Sequence, residues 1–200
     1  MIQNSDATFD FLILASRMQK RNDSFVIPEI HLFAYLSCLL WLYRCQAVSD
    51  WGYSFVGTEF GAPFCVEIDS AATDLLERGY IQRIDGRFQI TELAKQRIEI
   101  FTTLEMNFDR LECLNAACSS TSFLSTGMVR HAMLQEPELR RSQDRPSSRK
   151  LLEESAISQI YAQFDVLKSA IARPTNDLRL PAVVWLTALK KSTESNYATE

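Results

Sequence analysis

The sequence predicts a mainly α-helical protein with one β-hairpin and a helical C-terminal extension. Three observations lead to this fold class. Apolar residues recur at helical spacing over most of the chain, an Asp-Gly pair separates two short alternating segments, and glycine and proline are rare, with six of each. A hydrophobic fraction of 46% and a charged fraction of 23% are typical of a globular domain and argue against a disordered chain.

Two helices are predicted in the first part of the chain. The first covers residues 5–20, and Ser5 or Asp6 can cap its N-terminus. The second begins near Pro28, a residue favoured in a first helical turn, and ends near Ala47. Because this second helix is apolar almost all round, we expect it at the centre of a core. Residues 1–27 are interpreted as an N-terminal helical segment that precedes the main domain.

An aromatic, glycine-containing loop follows from residue 49 to residue 63. Aromatic residues are enriched at the hot spots of protein interfaces, which makes this loop a candidate partner surface. The alternative is a loop packed on the core of its own chain. The candidate interface residues are Trp51, Tyr53, Phe55 and Phe60.

The hairpin is the clearest local signal in the sequence. A third helix is predicted from about residue 64 to Arg78 and ends at Gly79, a residue favoured in a left-handed cap. Residues 80–84 and 87–90 then alternate on either side of Asp85-Gly86, and Thr91 can cap a fourth helix that reaches about Ala116. Helix, helix, hairpin and helix in this order are a winged-helix pattern, so we predict a winged-helix-like domain over residues 28–116. A general α+β domain with one hairpin is the alternative.

The remaining chain predicts a helical extension over residues 117–190. A Ser/Thr-rich connection precedes a short helix at 127–135, and an exposed arginine-rich loop at 137–149 follows it. A long helix is expected from about Ser147 to Ala172, where Pro174 stops it, and a short apolar helix from Pro181 to Leu189. Residues 191–200 are expected to form a frayed tail.

No catalytic, metal-binding or cofactor-binding pattern is evident, so the sequence favours a non-enzymatic protein without a cofactor. There is no glycine-rich phosphate loop, and the five cysteines and two histidines lack zinc-ligand spacing.

An odd cysteine count without Cys-x-x-Cys favours reduced thiols in the cytoplasm. No signal peptide is recognisable, and polar residues interrupt the apolar run 30–48, which argues against a membrane span.

Charge argues against strong DNA binding by the chain alone. The formal net charge is -4, whereas phosphate attraction dominates the affinity of proteins for nucleic acid. The helix at residues 65–78, which corresponds to a recognition helix, carries four carboxylates against one arginine. Basic residues concentrate instead on the hairpin wing and near residue 145. The candidate contacts to nucleic acid or to an acidic partner are Arg83, Arg87, Arg140, Arg141, Arg145, Arg149 and Lys150.

Three segments carry a resemblance to a known family. They are Gly61-Ala62-Pro63-Phe64-Cys65-Val66-Glu67-Ile68, the run from Leu75 to Ile81, and the run from Phe88 to Ala94. Together they resemble prokaryotic winged-helix accessory proteins, in particular the middle components of ABC-three-component defence systems, which include the small subunit of Lamassu-type complexes. Cys65 stands where that family has a small hydroxyl residue. A domain of Panacea-type antitoxins has a similar run.

The resemblance implies a non-enzymatic subunit that lies beside an SMC-like ATPase and an effector such as a nuclease, in a complex directed against phage or plasmids. Nucleic acid would then be contacted only within the complex. Two alternatives stay open, a winged-helix transcription regulator and an antitoxin-like protein that neutralises a single toxin. An ATPase with a long coiled coil encoded beside this chain favours the first reading, and a lone toxin favours the last.

Overall fold

Helices make up most of the chain, and two small antiparallel sheets complete it. The computed structural model describes residues 4–143, 149–171 and 177–197. Within these ranges the helices are α1 (Ser5–Asn22), α2 (Ile27–Tyr43), α3 (Val66–Glu77), α4 (Glu92–Thr102), α5 (Phe108–Ser119), α6 (Thr126–Met133), α7 (Pro137–Gln143), α8 (Glu154–Ala170) and α9 (Arg179–Tyr197). The strands are β1 (Val56–Gly57), β2 (Pro63–Phe64), β3 (Ile81–Ile84), β4 (Arg87–Ile90) and β5 (Arg149–Lys150). A mainly helical chain is therefore confirmed.

The first two helices form the centre of the molecule. Asn4, rather than Ser5 or Asp6, caps α1, because its Oδ1 accepts hydrogen bonds from the backbone N–H groups of Asp6 and Ala7. α1 packs against α2, α3, α4, α5 and β4. Helix α2 is buried on almost every side, as its composition predicts, and ends at Tyr43 rather than near Ala47. Residues 5–22 thus belong to the main core and not to a separate N-terminal segment.

The predicted hairpin is present in the predicted register. Strands β3 and β4 pair antiparallel from Ile81 opposite Ile90 to Ile84 opposite Arg87. Asp85 and Gly86 both have positive φ, 50° and 78°, as a tight turn between two twisted strands requires. The short segment between α1 and α2 adds a further bridge to β4, since the backbone N–H of Phe25 donates to the carbonyl of Phe88 at 2.9 Å and the reverse bond is also made.

A second sheet joins distant parts of the chain. β1 lies between β2 and β5 and pairs antiparallel with both. Val56 is paired with Phe64 on one side and with Lys150 on the other. The loop between α2 and α3 is therefore tied to the C-terminal half of the chain.

Other predicted boundaries are wrong as well. The helix expected from Thr91 to Ala116 is broken, because α4 ends at Thr102 and a 3-10 turn at Glu105–Asn107 precedes α5. The Asn107 side chain donates to the backbone carbonyl of Phe101, one of the carbonyl groups near the end of α4 that have no hydrogen-bond partner within the helix. The exposed loop expected at 137–149 contains helix α7, and the last helix continues to Tyr197 instead of fraying from residue 191.

Candidate functional site

The aromatic loop is part of the core, which corrects the prediction of a partner interface there. Trp51, Tyr53 and Phe55 are 0%, 8% and 1% exposed, and their rings pack on one another and on α2. They are therefore inaccessible to a partner that binds at the surface. Phe60 is 77% exposed and is the one member of the predicted set that can still make such a contact.

A buried ion pair holds the aromatic loop in place. Arg110 on α5 donates to both carboxylate oxygens of Asp10 on α1, from Nε at 2.6 Å and from its terminal nitrogen at 2.8 Å. The Tyr53 hydroxyl donates to the same carboxylate, and the guanidinium lies 4.0 Å from the ring centre of Trp51. Burial alone would lower the pKa of Arg110, but the charge and hydrogen bonds of Asp10 outweigh it and raise the pKa. Both oxygens of the Asp10 carboxylate are thus hydrogen-bonded, whereas the buried indole N–H of Trp51 has no hydrogen-bond partner among the described residues.

The wing arginines are exposed at the surface, where a contact to nucleic acid requires them. The Arg87 Nε donates to the Ser24 hydroxyl at 2.6 Å, which ties the wing to the end of α1. The Arg83 guanidinium lies 5.9 Å from the ring centre of Phe88 on the paired strand. Both side chains are positioned by contacts within the chain, and a role of either in binding DNA stays a prediction.

Helix α3 presents an acidic surface beside this wing. Asp69 and Glu77 are exposed, while Arg78, which follows the last helical residue, forms a 2.7 Å ion pair with Asp74. The positive charge of Arg78 is thus compensated within the chain. A duplex brought against α3 would meet uncompensated carboxylates, which repel its phosphates.

Two of the arginines predicted to lie on a free basic loop, Arg141 and Arg149, are instead paired within the chain, which corrects a second prediction. Arg141 forms an ion pair with Glu138 and also bonds to Gln159, and a terminal nitrogen of Arg149 lies 3.7 Å from Glu138. Glu138 is 1% exposed, so these cations neutralise a buried carboxylate. Arg140 and Lys150 are exposed and remain candidate contacts, and Arg145 lies outside the described residues.

Glu136, two residues earlier, is a second buried carboxyl group. Its Oε2 accepts from the backbone N–H of Leu139 at 2.9 Å and therefore caps α7, and the Tyr35 hydroxyl lies 3.4 Å from the same oxygen. Burial raises the pKa of Glu136 to about 7, against the effect of the capping backbone groups. Its other oxygen has no hydrogen-bond partner among the described residues.

An exposed apolar surface, which sequence reasoning missed, lies on α4 and on the turn that follows it. Leu93 and Ile100 are seven residues apart and so share one side of α4. The residues that form this apolar stripe are Leu93, Ile100, Leu104, Met106 and Phe108, each at least 41% exposed. The single helix predicted over residues 91–116 did not indicate that these side chains are exposed.

The residues that the structure describes contain no candidate metal centre. No group of three His, Cys, Asp or Glu side chains there can hold a metal ion. The five cysteines are free thiols, and burial raises the pKa of Cys113 to about 12. Among the described helices, none combines the length and the apolar character needed to cross a membrane.

Comparison of the chain with protein-family models, with curated proteins and with solved structures finds no match. The surfaces described above and the resemblance carried by the sequence motifs are therefore the features that bear on function.

Proposed function

We propose that this chain is a non-enzymatic, winged-helix accessory subunit of a cytoplasmic SMC-like ATPase complex that acts against phage or plasmids. In this role it bridges the ATPase and an effector such as a nuclease. The apolar stripe on α4 and the following turn is the observation that carries the proposal, because it is a surface suited to protein contact on a chain whose recognition helix is acidic. The proposed partners, an SMC-like ATPase and an effector, are those implied by the family that the sequence motifs resemble.

The order of elements supports a winged-helix arrangement. Helix α1, the bridge at Phe25, α2, α3 and the β3–β4 hairpin follow one another as in that fold, and Phe25 pairs with β4 as a short third strand would. The segment between α2 and α3, residues 44–65, is longer than a simple turn and carries β1 and β2. It connects the winged-helix part to the C-terminal helices through β5.

The chemistry of the apolar stripe defines the partner segment. Large exposed apolar side chains at i and i+7, continued by a methionine and a phenylalanine, fit the apolar face of an amphipathic helix. Glu99 and Glu105 are exposed beside the stripe and favour lysine or arginine on the flank of that helix. A bridging subunit requires such a surface, whereas a DNA-binding regulator acting alone does not.

Co-purification from the native host tests the proposal. We expect the wild-type chain to capture a coiled-coil ATPase in fixed stoichiometry, and the double variant Ile100→Lys, Met106→Lys to lose it while keeping its melting temperature. Val166→Lys is the matched control, since Val166 is equally apolar and 71% exposed on α8, away from the stripe. Capture of a single small toxin in place of an ATPase would support the antitoxin alternative, and unchanged capture by the double variant would contradict the proposal.

DNA binding by the isolated chain is the second candidate function, and the exposed Arg83 and Arg87 on the wing favour it. Because α3 is acidic, we expect only weak binding of duplex DNA without sequence preference. A titration of the isolated chain with duplex DNA at physiological salt distinguishes weak, non-specific binding from the binding of a regulator. Sequence-specific affinity of the roughly nanomolar order typical of dedicated regulators would favour the regulator instead.

A further inference from the structure

A cavity of about 340 Å³ opens between the end of α1, the start of α2 and the connection from α5 to α6. This volume lies within the range of sites for small molecules and cofactors. Neither the wing nor the apolar stripe contributes to it, so the surfaces described above do not account for it.

The cavity is positively charged. Arg17, Lys20 and Arg21 line it from one side of α1, at the i, i+3 and i+4 spacing that places side chains on a common face. Glu29 is the one acidic side chain in the lining. Among the described residues, none of the three cations forms an ion pair with a carboxylate, so their charge is available to a ligand.

The two guanidinium groups are held in place by neutral partners. The Arg17 Nε donates to the Asn115 Oδ1 at 2.8 Å, and Arg21 donates to the Thr121 hydroxyl on the opposite wall. Bonds to neutral oxygens orient an arginine without cancelling its charge. Lys20 makes no hydrogen bond or ion pair with any other described residue and can turn toward a bound anion.

The rest of the lining combines hydroxyl groups with an apolar floor. Ser119, Ser122 and Thr126 contribute side-chain hydroxyls, and Thr126 is the first residue of α6, whose N-terminus adds positive potential. Met18 and Phe33 line the inner side of the cavity. A ligand that matches this lining has an anionic group at the α1 side and an apolar or planar group against the floor.

We infer that this cavity binds a small phosphorylated molecule of about the size of a nucleoside monophosphate. Arginine forks and a lysine are the side chains that recognise phosphate, and hydroxyl groups donate to its remaining oxygens. The phosphate lies among Arg17, Lys20 and Arg21, and the organic part lies on Met18 and Phe33. A concave site of limited volume accepts a monoester more readily than the backbone of a long duplex, which extends over an open surface.

Calorimetric titration of the full chain with AMP, adenosine and inorganic phosphate tests this inference. We expect AMP to bind and adenosine to bind at least about tenfold more weakly, since adenosine lacks the charged group. Inorganic phosphate should compete with AMP, and rising salt should weaken both. Lys20→Gln and Arg21→Gln should each weaken AMP binding by roughly tenfold, the size expected for one charge-assisted hydrogen bond.

Lys95→Gln is the matched control, because Lys95 lies on α4 and is paired with Glu92 at 2.9 Å outside the cavity. It should leave AMP binding unchanged. Loss of the Arg21–Thr121 bond could alter folding, but Lys20 has no such bond, so Lys20→Gln alone keeps the test decisive. No AMP binding at millimolar concentration, equal binding of AMP and adenosine, or duplex binding through Lys20 that AMP does not displace would each overturn the inference.

Discussion

Asp10 and Glu136 are both fully buried, but the groups that compensate their negative charge differ. Asp10 receives two hydrogen bonds from Arg110 and one from Tyr53, so its negative charge is matched by a cation at contact distance. Glu136 receives backbone and tyrosine hydrogen bonds, and Arg141 and Arg149 pair with its neighbour Glu138 instead. Burial raises the pKa of both carboxyl groups, and at Asp10 the neighbouring guanidinium of Arg110 opposes this effect.

Glu136→Gln should stabilise the protein at alkaline pH. The pKa of Glu136 is about 7 in the folded chain and 4.5 as a free group, so the folded state holds this proton more tightly. The stability that this group contributes is fully present below pH 4.5 and is lost as pH rises through about 7. Glutamine keeps the capping oxygen without the charge, and the pKa difference corresponds to up to about 3 kcal/mol.

Urea unfolding at pH 5 and pH 8 measures the effect of Glu136→Gln. We expect a small difference from wild type at pH 5 and a clear stabilisation at pH 8. Glu99→Gln, on the exposed side of α4, is the control and should change neither value. A Glu136→Gln chain that is no more stable than wild type at pH 8 would show that the buried carboxyl carries its charge without cost.

Trp51→Ala should destabilise the isolated chain by about 3–5 kcal/mol, as loss of a buried large aromatic side chain does. The ring is fully buried, with the Trp41 ring centre 5.8 Å away on one side and Arg110 against it. Phe60→Ala, in the same loop but 77% exposed, should change stability by less than about 0.5 kcal/mol. Chemical denaturation measures both, and a Trp51→Ala chain of wild-type stability would restore the interface interpretation of this loop.

Among the secondary-structure elements, the hairpin could be predicted from neighbouring residues. The second sheet could not, because its strands are far apart in sequence. Asp85-Gly86 determines the turn, and the strands on either side follow it directly in sequence. Strand β1 has two residues and pairs with Lys150, almost a hundred positions later, so no short-range pattern reveals it. The same pairing brings Arg149 to within 3.7 Å of the buried Glu138, so this arginine is not on a free loop.

The break between α4 and α5 is the other element that sequence periodicity could not reveal. Leu104, Met106 and Phe108 continue an apolar pattern across it and so favour one helix. The Asn107–Phe101 hydrogen bond ends α4 instead. The wing was therefore predicted as a candidate surface from the sequence, whereas the apolar stripe was recognised only from the exposure of its side chains in the structure.

Charge reversal should destabilise the protein at Arg141 but not at its neighbour Arg140 on α7. Arg141→Glu places a negative charge beside the buried Glu138 and should cost about 2 kcal/mol, since Arg149 remains to compensate in part. Arg140 is exposed and forms no ion pair with a described residue, so Arg140→Glu should leave the melting temperature nearly unchanged. Equal effects of the two variants on thermal unfolding would contradict the pairing of Arg141 with Glu138.

At the scale of the whole molecule, one hydrophobic core extends from α1 to α9. The predicted boundaries near residues 28 and 117 therefore do not separate independent cores. The surfaces differ in character from element to element: α3 is acidic, the wing is basic, α4 and its turn are apolar, and α1 lines a basic cavity. This separation suits a subunit that contacts several partners at once.

Hydrogen–deuterium exchange, compared between the chain alone and the chain purified with its native partners, tests whether the apolar stripe is the surface that binds those partners. We expect slower exchange in the complex over residues 92–108, which carry the apolar stripe, and unchanged exchange over α3. Protection of α3 and the wing on addition of duplex DNA, with residues 92–108 exchanging as in the free chain, would contradict it.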